Sequence, residues 1–401
     1  MGRYCDPGCF TMRILLITGE YPPMQGGVGD YTRELGIALA AAGVEVHVLA
    51  PARALASHRP DREAAITVHA RLAHPGWGLL QEVKTLSHRL CPDLLQIEYQ
   101  AAAFGMHPAV NLLPWWWRMQ GLVPPWIVTT FHDLRVPYLF PKAGPLRWWT
   151  ILSLARGSDA TVVTNAEDRL RLQGRVPALF EIPIGSNIAP APPPGYHRDA
   201  WRARLGLGPN DFLVSYFGFL NASKGGEALA RAVAVLAADG HPVHLLLIGG
   251  AVGDSDPTNA AYAAYFDYLV RELGLAGRVH RTGSLPSAEV SAALLASDCA
   301  LLPYRDGVSL RRGSLHAALA HGLPIVTTQP AVPLPEFQDG ENVLLTPVDD
   351  HKAMAAAVAQ LIADRGLRER ISAGARRLAS GFGWDAIAQK HLEVYYQLGI
   401  R

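Results

Sequence analysis

Residues 13–49 read RILLITGEYPPMQGGVGDYTRELGIALAAAGVEVHVL, and this stretch decides the fold. The aliphatic run at 13–18 predicts a buried parallel strand. A turn rich in glycine and proline follows, and then an amphipathic helix from about Asp30 to Ala42 that Gly43 closes. Because Glu45–Leu49 gives the next strand, the stretch predicts a βαβ unit of the doubly wound α/β class.

The same alternation continues along the chain and restarts once. Further strands are predicted at 66–70, 94–98, 126–131 and 160–164, before a proline-rich segment at 189–195 that reads as an extended linker. After it we expect strands at 212–217, 243–248, 278–281, 299–302, 324–328 and 343–345, with helices near 198–205, 225–238, 351–363, 366–380 and 384–397. Two Rossmann-like halves joined by a linker imply a central cleft, where ligands bind by default.

The domain boundaries follow from this pattern. Residues 1–11 are interpreted as an extension that we expect to be disordered, 12–190 as one domain, 191–383 as a second, and 384–401 as a helix that returns to the first. The 401 residues carry a net charge of +1, which argues against a nucleic-acid partner. No secretory signal and no long apolar run is visible, so a cytoplasmic protein is expected.

Two glycine-containing loops follow strands and precede helices, the arrangement that brings backbone close to a phosphate. The first contains Gly26 and Gly27, and a purely structural tight turn is its alternative. It lacks the G-x-G-x-x-G fingerprint, so NAD binding is disfavoured. The second, 217–226, contains Gly218, Ser223 and Lys224, and a cation in such a loop predicts an anion site. Lys224 is the phosphate ligand best supported by sequence.

Two other segments carry candidate chemistry. His132 and Asp133 follow the strand at 126–131, at the end of a parallel strand where α/β sheets bind ligands. The histidine can donate a hydrogen bond or act as an acid or base, and a structural role is its alternative. Arg311 and Arg312 precede Gly313 and Ser314, which suit the start of a helix and therefore an anion.

These motifs, taken in order, resemble glycosyltransferase family four, whose members are retaining enzymes of the GT-B fold. The resemblance runs from Met12 onward and rests on segments distributed over both halves. They are Glu20-Tyr21-Pro22-Pro23 with Gly26-Gly27, Phe131-His132-Asp133, Pro183-Ile184-Gly185-Ser186-Asn187, Gly218 to Gly225, Arg278 to Gly283, Ser297-Asp298, Leu302-Pro303, Gly322-Leu323-Pro324 and Pro335 to Asn342.

The resemblance implies a nucleotide-sugar donor and a glycan, lipid-linked or small-molecule acceptor, with no metal and no bound cofactor. It implies that His132 and Lys224 are catalytic, with the acceptor near Tyr31, His132 and Asp133. The donor-binding residues that it implies, together with those read from the loops, are Gly26, Gly27, Gly218, Ser223, Lys224, Gly249, His280, Arg281, Gly283, Ser309, Leu310, Arg311, Arg312, Gly313 and His316.

One departure from the family limits this transfer. The family's Glu-x7-Glu motif is replaced: the corresponding segment, from Val308 to His316, contains no glutamate. Arg311 or Arg312 is hypothesised to supply a cation there. The replacement keeps two alternatives open, a nucleotide-sugar-binding GT-B protein without transfer activity and a GT-B epimerase. A cluster formed by Trp115-Trp116-Trp117-Arg118, Trp126 and Arg147-Trp148-Trp149 predicts peripheral contact with the inner membrane face, with helix packing as the alternative.

Overall fold

In the computed structural model, the residues described are 11–24, 26–57, 65–74, 76–121, 125–134, 145–218, 220, 224–250 and 258–400. The chain divides into two compact units. The first combines Met1–Gly185 with Trp384–Arg401, and the second is Ser186–Gly383. The predicted extension at 1–11 lies outside the described residues except for its last residue.

The first unit is built on a parallel sheet. Its strands are β1 (Arg13–Thr18), β2 (Glu45–Pro51), β3 (Ile66–Leu72), β4 (Leu94–Tyr99), β5 (Trp126–Phe131), β6 (Ala160–Val163) and β7 (Leu179–Glu181). Its helices before residue 185 are α1 (Gly27–Ala41), α2 (Gly78–Leu90), α3 (Ala109–Met119), α4 (Pro145–Gly157) and α5 (Ala166–Leu172), with a 3-10 helix at Ala52–Ser57. The strand order is β3-β2-β1-β4-β5-β6-β7, and every neighbouring pair is parallel.

The second unit repeats the architecture. Its strands are β8 (Phe212–Phe217), β9 (Val243–Ile248), β10 (Val279–Arg281), β11 (Cys299–Leu302), β12 (Ile325–Thr328) and β13 (Leu344–Thr346). Its helices are α6 (Arg198–Ala203), α7 (Gly226–Ala238), α8 (Thr258–Glu272), α9 (Ser287–Ala296), α10 (Gly313–Ala320), α11 (His351–Ala363) and α12 (Arg365–Ser380). The strand order is β10-β9-β8-β11-β12-β13, again with parallel pairs.

The last helix, α13 (Trp384–Gln397), belongs to the first unit. It buries Ile387, Leu392 and Tyr395 in the same apolar core as Leu35 and Leu39 of α1. A helix with one apolar face gains most of its stability from such packing, so residues separated by more than 340 positions complete one core.

The doubly wound α/β prediction is confirmed, although several element bounds differ and strand β7 and helices α8 and α9 were not predicted. Helix α1 begins at Gly27 rather than near Asp30, because Gly26 already has extended backbone and the residues after it take helical geometry. Strand β7 was not predicted, since three half-buried residues at a sheet edge carry no clear periodicity.

The order of the strands reverses between β1 and β4 in the first unit and between β8 and β11 in the second. In open α/β sheets, the crevice beyond the carboxyl ends of the strands at such a reversal is where ligands bind. The residues that follow these four strands are therefore the ones to examine.

Candidate functional site

A glycine packs tightly against a strand end at the reversal point of the second unit's sheet. Gly225 has φ of +71°, and a Cβ built on it would lie 1.9 Å from the carbonyl oxygen of Pro303, which follows β11. Only glycine fits such a contact. The loop that contains Lys224 is thus held directly against the end of β11.

Tyr304, the next residue after Pro303, gathers the cations of the site. Its ring centroid lies 5.6 Å from Nζ of Lys224 and 4.8 Å from the guanidinium carbon of Arg312. Its hydroxyl is 2.7 Å from Oγ of Ser314 in the first turn of α10. The structure therefore brings Lys224 together with Arg312 and the start of α10, although both lie far from the lysine along the chain.

The start of α10 has the features of an anion site. Arg312 is its N-cap, and no side chain hydrogen-bonds to the cap. Gly313 is exposed, and a Cβ added there would meet nothing within 4 Å. Unsatisfied backbone N–H groups and the positive end of the helix dipole favour an anion at such a position.

Asp306 partly balances these cations. Its Oδ2 lies 3.0 Å from a terminal nitrogen of Arg311, and its other oxygen is paired with Arg312. One carboxylate is thus shared between two arginines, and the ammonium of Lys224 lies near the same aromatic ring as the guanidinium of Arg312. Ammonium and guanidinium groups are the side chains that bind phosphate.

Two predicted donor-binding residues are internal. Leu310 is part of the second unit's apolar core, and its carbonyl oxygen accepts a 2.7 Å hydrogen bond from Nε2 of His316. His316 is itself buried against Phe382, and burial lowers its pKa to about 4, so the imidazole is neutral. Their side chains do not reach a surface ligand in this structure, contrary to expectation, because both pack inward.

Polar atoms in the same segment are nevertheless buried without partners. Oγ of Ser309, Nε of Arg312 and Nδ1 of His316 have no hydrogen-bond partner in the part of the chain that the structure describes. Most buried polar atoms in proteins are paired, and clusters of exceptions mark places where a ligand or water is missing. The 309–316 segment is therefore the least satisfied part of this unit's site.

Three glycines mark the neighbouring strand ends. Gly218, Gly249 and Gly283 follow β8, β9 and β10, and all have positive φ. With Arg281 they line a small cavity of about 70 Å³. Gly249 and Gly283 also form an isolated antiparallel bridge, so the structure brings these three predicted residues together.

The remaining predicted donor residues are occupied elsewhere or lie outside the description. Arg281 pairs with Asp267 and lies 5.4 Å from the Phe266 ring. His280 turns towards its sheet neighbour His244, with 3.1 Å between ring nitrogens, which is a structural contact. Ser223 lies outside the described residues.

In the first unit, the glycine-containing turn before α1 lies against an acidic side chain. Oε1 of Glu20 accepts hydrogen bonds from the backbone N–H groups of Val28 (2.9 Å) and Gly29 (3.3 Å) at the start of α1. A Cβ on Gly26 would collide with this carboxylate, whereas Gly27 is exposed and open. Two N–H groups that the sequence offered to a phosphate are thus already bound to the chain's own acid.

His132 follows β5 and contacts a buried acid on the neighbouring strand. Its Nε2 lies 2.9 Å from Oε2 of Glu98, whose side chain is 0% exposed, and the His132 side chain is 9% exposed. Oε1 of Glu98 accepts a 2.6 Å hydrogen bond from Nε2 of Gln96. The adjacent Asp133 is half-buried and accepts from Gln100 at 3.2 Å.

Tyr31, a predicted acceptor residue, is buried beside this pair. Its ring meets the His132 ring edge-on, with 4.6 Å between centroids. Its hydroxyl lies 2.9 Å from Nε2 of His391 on α13, so it packs against His132 instead of facing an acceptor. Tyr395, also on α13, donates to Gln96.

Sequence reasoning missed the acids and aromatic groups around the cations and the histidine, namely Glu98, Asp306, Tyr304, His391 and Tyr395. One signal was available for Glu98. The strand Leu94–Tyr99 is buried throughout, yet it carries Gln96 and Glu98 on alternate positions, so both point to one face. A buried carboxylate requires a partner, which predicts a functional or structural pair.

Comparisons with known proteins agree with this fold. Residues 26–179 match the model described as a glycosyl transferase 4-like domain, and residues 197–378 match glycosyl transferases group 1. Together the two matches cover β2 to β6 of the first unit and β8 to β13 of the second.

Named relatives cover nearly the whole chain. A D-inositol 3-phosphate glycosyltransferase of Xylanimonas cellulosilytica is 27% identical, with 98% of each chain covered. A GDP-mannose-dependent alpha-(1-6)-phosphatidylinositol monomannoside mannosyltransferase of Mycolicibacterium smegmatis is 26% identical over 88% of this chain and 89% of the relative.

Solved structures show the same fold. Sucrose-phosphate synthase from Thermosynechococcus elongatus has a TM-score of 0.72 at 22% identity, covering 96% of this chain and 99% of that one. HepE from Anabaena, solved with UDP and glucose, has a TM-score of 0.72 at 19% identity, covering 96% and 100%. Among the described helices, none combines the length and apolarity that crossing a membrane requires. The chain belongs to the family-four-like glycosyltransferases, enzymes built from the two Rossmann-like domains of the GT-B fold.

Proposed function

We propose that this enzyme transfers a sugar from a nucleoside-diphosphate sugar to a hydroxyl of a glycan, lipid-linked or small-molecule acceptor, with retention of anomeric configuration. The observation that carries the proposal is the cation cluster around Tyr304 at the reversal point of the second unit. Lys224, Arg312 and the uncapped start of α10 meet there.

The diphosphate is assigned to this cluster on grounds of charge. During transfer the leaving diphosphate gains negative charge, and fixed cations and helix N–H groups stabilise it without reorganisation. Lys224 supplies a point charge, and the arginines supply planar donors. We further propose that no metal ion is needed, because these groups already offset the charge. Full activity in excess EDTA would support this, and loss of activity restored by Mg²⁺ would overturn it.

The nucleotide is assigned to the glycine-lined ends of β8, β9 and β10. Positive φ at Gly218, Gly249 and Gly283 keeps side chains off this edge, which lets a flat base or a ribose approach the backbone. HepE is named in complexes with UDP and with UDP-glucose, which supports a nucleotide-sugar donor of this kind.

The transferred sugar and the acceptor are assigned to the residues around His132. An imidazole at the end of β5, backed by a buried carboxylate, can donate to or accept from a sugar hydroxyl. The names of the two relatives described above specify inositol-containing acceptors. Polyols are therefore the first acceptors to assay.

A panel experiment tests the donor directly. We expect one class among the UDP-, GDP-, ADP- and dTDP-sugars to raise the melting temperature, because a ligand that binds only the folded state stabilises it. Transfer with that donor, followed by NMR of the product's anomeric proton, would then establish retention. An inverted product would overturn the retaining mechanism.

The arginine hypothesis has its own test. We propose that Arg311 or Arg312 contacts the donor in place of the missing glutamates, and each charged hydrogen bond is worth about 2 kcal/mol or more. Arg311→Met, Arg312→Met and the double variant should show where this contribution lies. Donor affinity unchanged in all three would contradict the hypothesis.

Because the Glu-x7-Glu motif is replaced, two alternative functions also need a test. A binding protein without transfer activity would bind one donor and turn over none, with any acceptor or with water. An epimerase would instead interconvert two nucleotide sugars without any acceptor. Product analysis by chromatography separates all three outcomes.

We also propose that the tryptophan cluster contacts a membrane surface. Trp115, Trp126 and Trp149 are 44%, 42% and 56% exposed, and Met119 at the end of α3 is 77% exposed. Their neighbours Trp116 and Trp148 are packed against the core, so packing explains only part of the cluster. Sedimentation with anionic liposomes should carry the wild type down more than a Trp-to-Ala set at 115, 126 and 149. Equal sedimentation would overturn the membrane contact.

A further inference from the structure

The buried acid Glu98 has a role that the proposed function does not yet use. It is the second-to-last residue of β4, and no part of its side chain is exposed. Each of its oxygens has a defined partner: Gln96 donates to Oε1 at 2.6 Å, and His132 lies 2.9 Å from Oε2. Among the described residues, His132 is the ion-pair partner found for it.

This contact decides which ring nitrogen of His132 carries a proton. An ionised carboxylate only accepts hydrogen bonds, so the proton must lie on Nε2. The backbone also holds the residue, since its N–H donates to the carbonyl of Tyr99 at 3.0 Å. In the described part of the chain, Nδ1 of His132 has no hydrogen-bond partner, and it is the ring atom left for a substrate.

Helix α13 contributes two of the side chains that lie around Glu98 and His132. His391 and Tyr395 from this helix, and Tyr31 from α1, are the other titratable groups around Glu98 and His132, with Asp133 next in the chain. Burial lowers the pKa of His391 to about 4, so it adds no positive charge near neutrality. Tyr31 and Tyr395 stay protonated, because burial raises the pKa of each. Among these groups, His132 is the one that hydrogen-bonds to Glu98.

We propose that Glu98 is the positioning residue of His132: it fixes the proton of the imidazole on Nε2 and presents Nδ1 to the reacting sugars. This inference rests on the proposed function for the role of His132 in transfer, but the state of the imidazole is independent of turnover. Carboxylate–histidine pairs in other enzymes act in this way, holding the tautomer and orientation of the ring.

The test uses the full-length protein with ¹⁵N-labelled histidine and the variants Glu98→Gln and Glu98→Asp. NMR of the ring nitrogens should show wild-type His132 protonated on Nε2, identified by its loss in His132→Gln. In Glu98→Gln we expect Nε2 of His132 to lose its preference for the proton, because an amide can both donate to and accept from the ring. Glu98→Asp should restore part of that preference.

Glu45→Gln is the matched control, because Glu45 contacts His47 at 2.9 Å on β2 in the same sheet. It should change the His47 signals and leave His132 and transfer activity as in the wild type. A merely structural Glu98 would lower stability in Glu98→Gln while the His132 tautomer stayed unchanged, and that result would overturn the proposal.

Kinetics of the same variants separate this inference from the proposed function. In Glu98→Gln, kcat should fall about tenfold or more with little change in donor KM, because the ring no longer presents Nδ1 without a proton to the sugars. If His132→Gln transferred sugar at the wild-type rate, the proposed function of His132 would fail whatever the NMR showed. If His132→Gln were inactive but Glu98→Gln matched the wild type in NMR and rate, the positioning role alone would fail.

Discussion

The starts of α1 and α10 occupy comparable positions in their units, but different side chains lie beside their backbone N–H groups. Each is the first turn of a helix that follows a strand at the reversal point of its sheet. At α1 the chain's own Glu20 accepts from two backbone N–H groups. At α10 no side chain caps the helix, and Arg312 and Lys224 lie beside Tyr304 instead.

The difference teaches that a glycine-rich turn before a helix does not by itself make a phosphate site. Both starts have unsatisfied donors and a positive dipole end, and any nearby anion can take them. The first unit supplies that anion from its own turn, while in the second unit Arg312 and Lys224 lie beside Tyr304 near the helix start. This contrast supports the proposal that the second unit binds the donor's diphosphate, and the following predictions test it.

The largest expected effect is a loss of stability at low pH, and it concerns both helices. A buried neutral histidine lies at each of them: His391 contacts Tyr31 of α1, and His316 lies in α10. Burial lowers both pKa values to about 4, below the unfolded value of about 6.5. Between these values the unfolded chain binds more protons, so stability is complete above about pH 6.5 and falls as pH drops towards 4. Each histidine contributes about 3 kcal/mol to that loss.

Denaturant unfolding at pH 7.5, 6 and 5 measures this loss. His316→Gln and His391→Gln should each flatten the dependence of unfolding free energy on pH, the first in the second unit and the second in the first. If both variants kept the wild-type slope, neither histidine would be buried and neutral as described.

Removing the lysine should affect nucleotide binding next most strongly. Lys224→Met is expected to weaken binding of the preferred nucleoside diphosphate about 30-fold, or about 2 kcal/mol, because a charge-assisted contact to phosphate is lost. Isothermal titration calorimetry measures it. Lys352→Met, at an exposed lysine of α11, is the matched control and should bind as the wild type does. Equal losses in the two variants would point to general electrostatics instead of a site.

Glu20→Gln should produce a smaller effect of a different kind. Losing the charged acceptor at the start of α1 should cost about 1 kcal/mol of stability, with a fall of about 2–4 °C in melting temperature. Nucleotide affinity should stay the same, because the diphosphate is assigned elsewhere. Glu34→Gln on the same helix controls for loss of an acid. Tighter nucleotide binding by Glu20→Gln would show that α1 competes for the phosphate after all.

Asp306→Asn should give the smallest change and in the opposite direction. It frees Arg311 and Arg312 from their shared acid, so nucleotide affinity should rise about two- to threefold, or about 0.5 kcal/mol. Asp349→Asn, which frees Arg305 in the same way, should leave affinity unchanged. A weaker nucleotide complex in Asp306→Asn would mean that the acid orients the arginines for binding.

Much of the fold follows from local pattern. The aliphatic strands and the helix faces are readable because burial imposes periods that a short window reveals, as at Phe212–Phe217 and His351–Ala363, whose bounds were predicted without error. The edge strand Leu179–Glu181 was missed because half-burial leaves no such period.

The site was predicted less completely for a physical reason. Lys224 and the 311–314 segment could be named from loop chemistry, but their convergence on Tyr304 depends on long-range packing that no local window contains. The same holds for Glu20, which looked like part of a turn and proved to be the cap that a phosphate would need to displace. Leu310 and His316 were named by position in a motif, and packing turned both inward.

The last helix has a consequence for how the protein is made. Because α13 completes the core of the first unit, that unit cannot reach its final state until the ribosome has synthesised the entire second unit as well. The second unit, a continuous stretch of chain, is free to fold first. A nascent chain that ends before Trp384 would leave Leu35, Leu39 and the surroundings of Tyr31 without their cover, a surface suited to capture by chaperones. Termination of translation before Trp384 would thus damage the amino-terminal half of the enzyme.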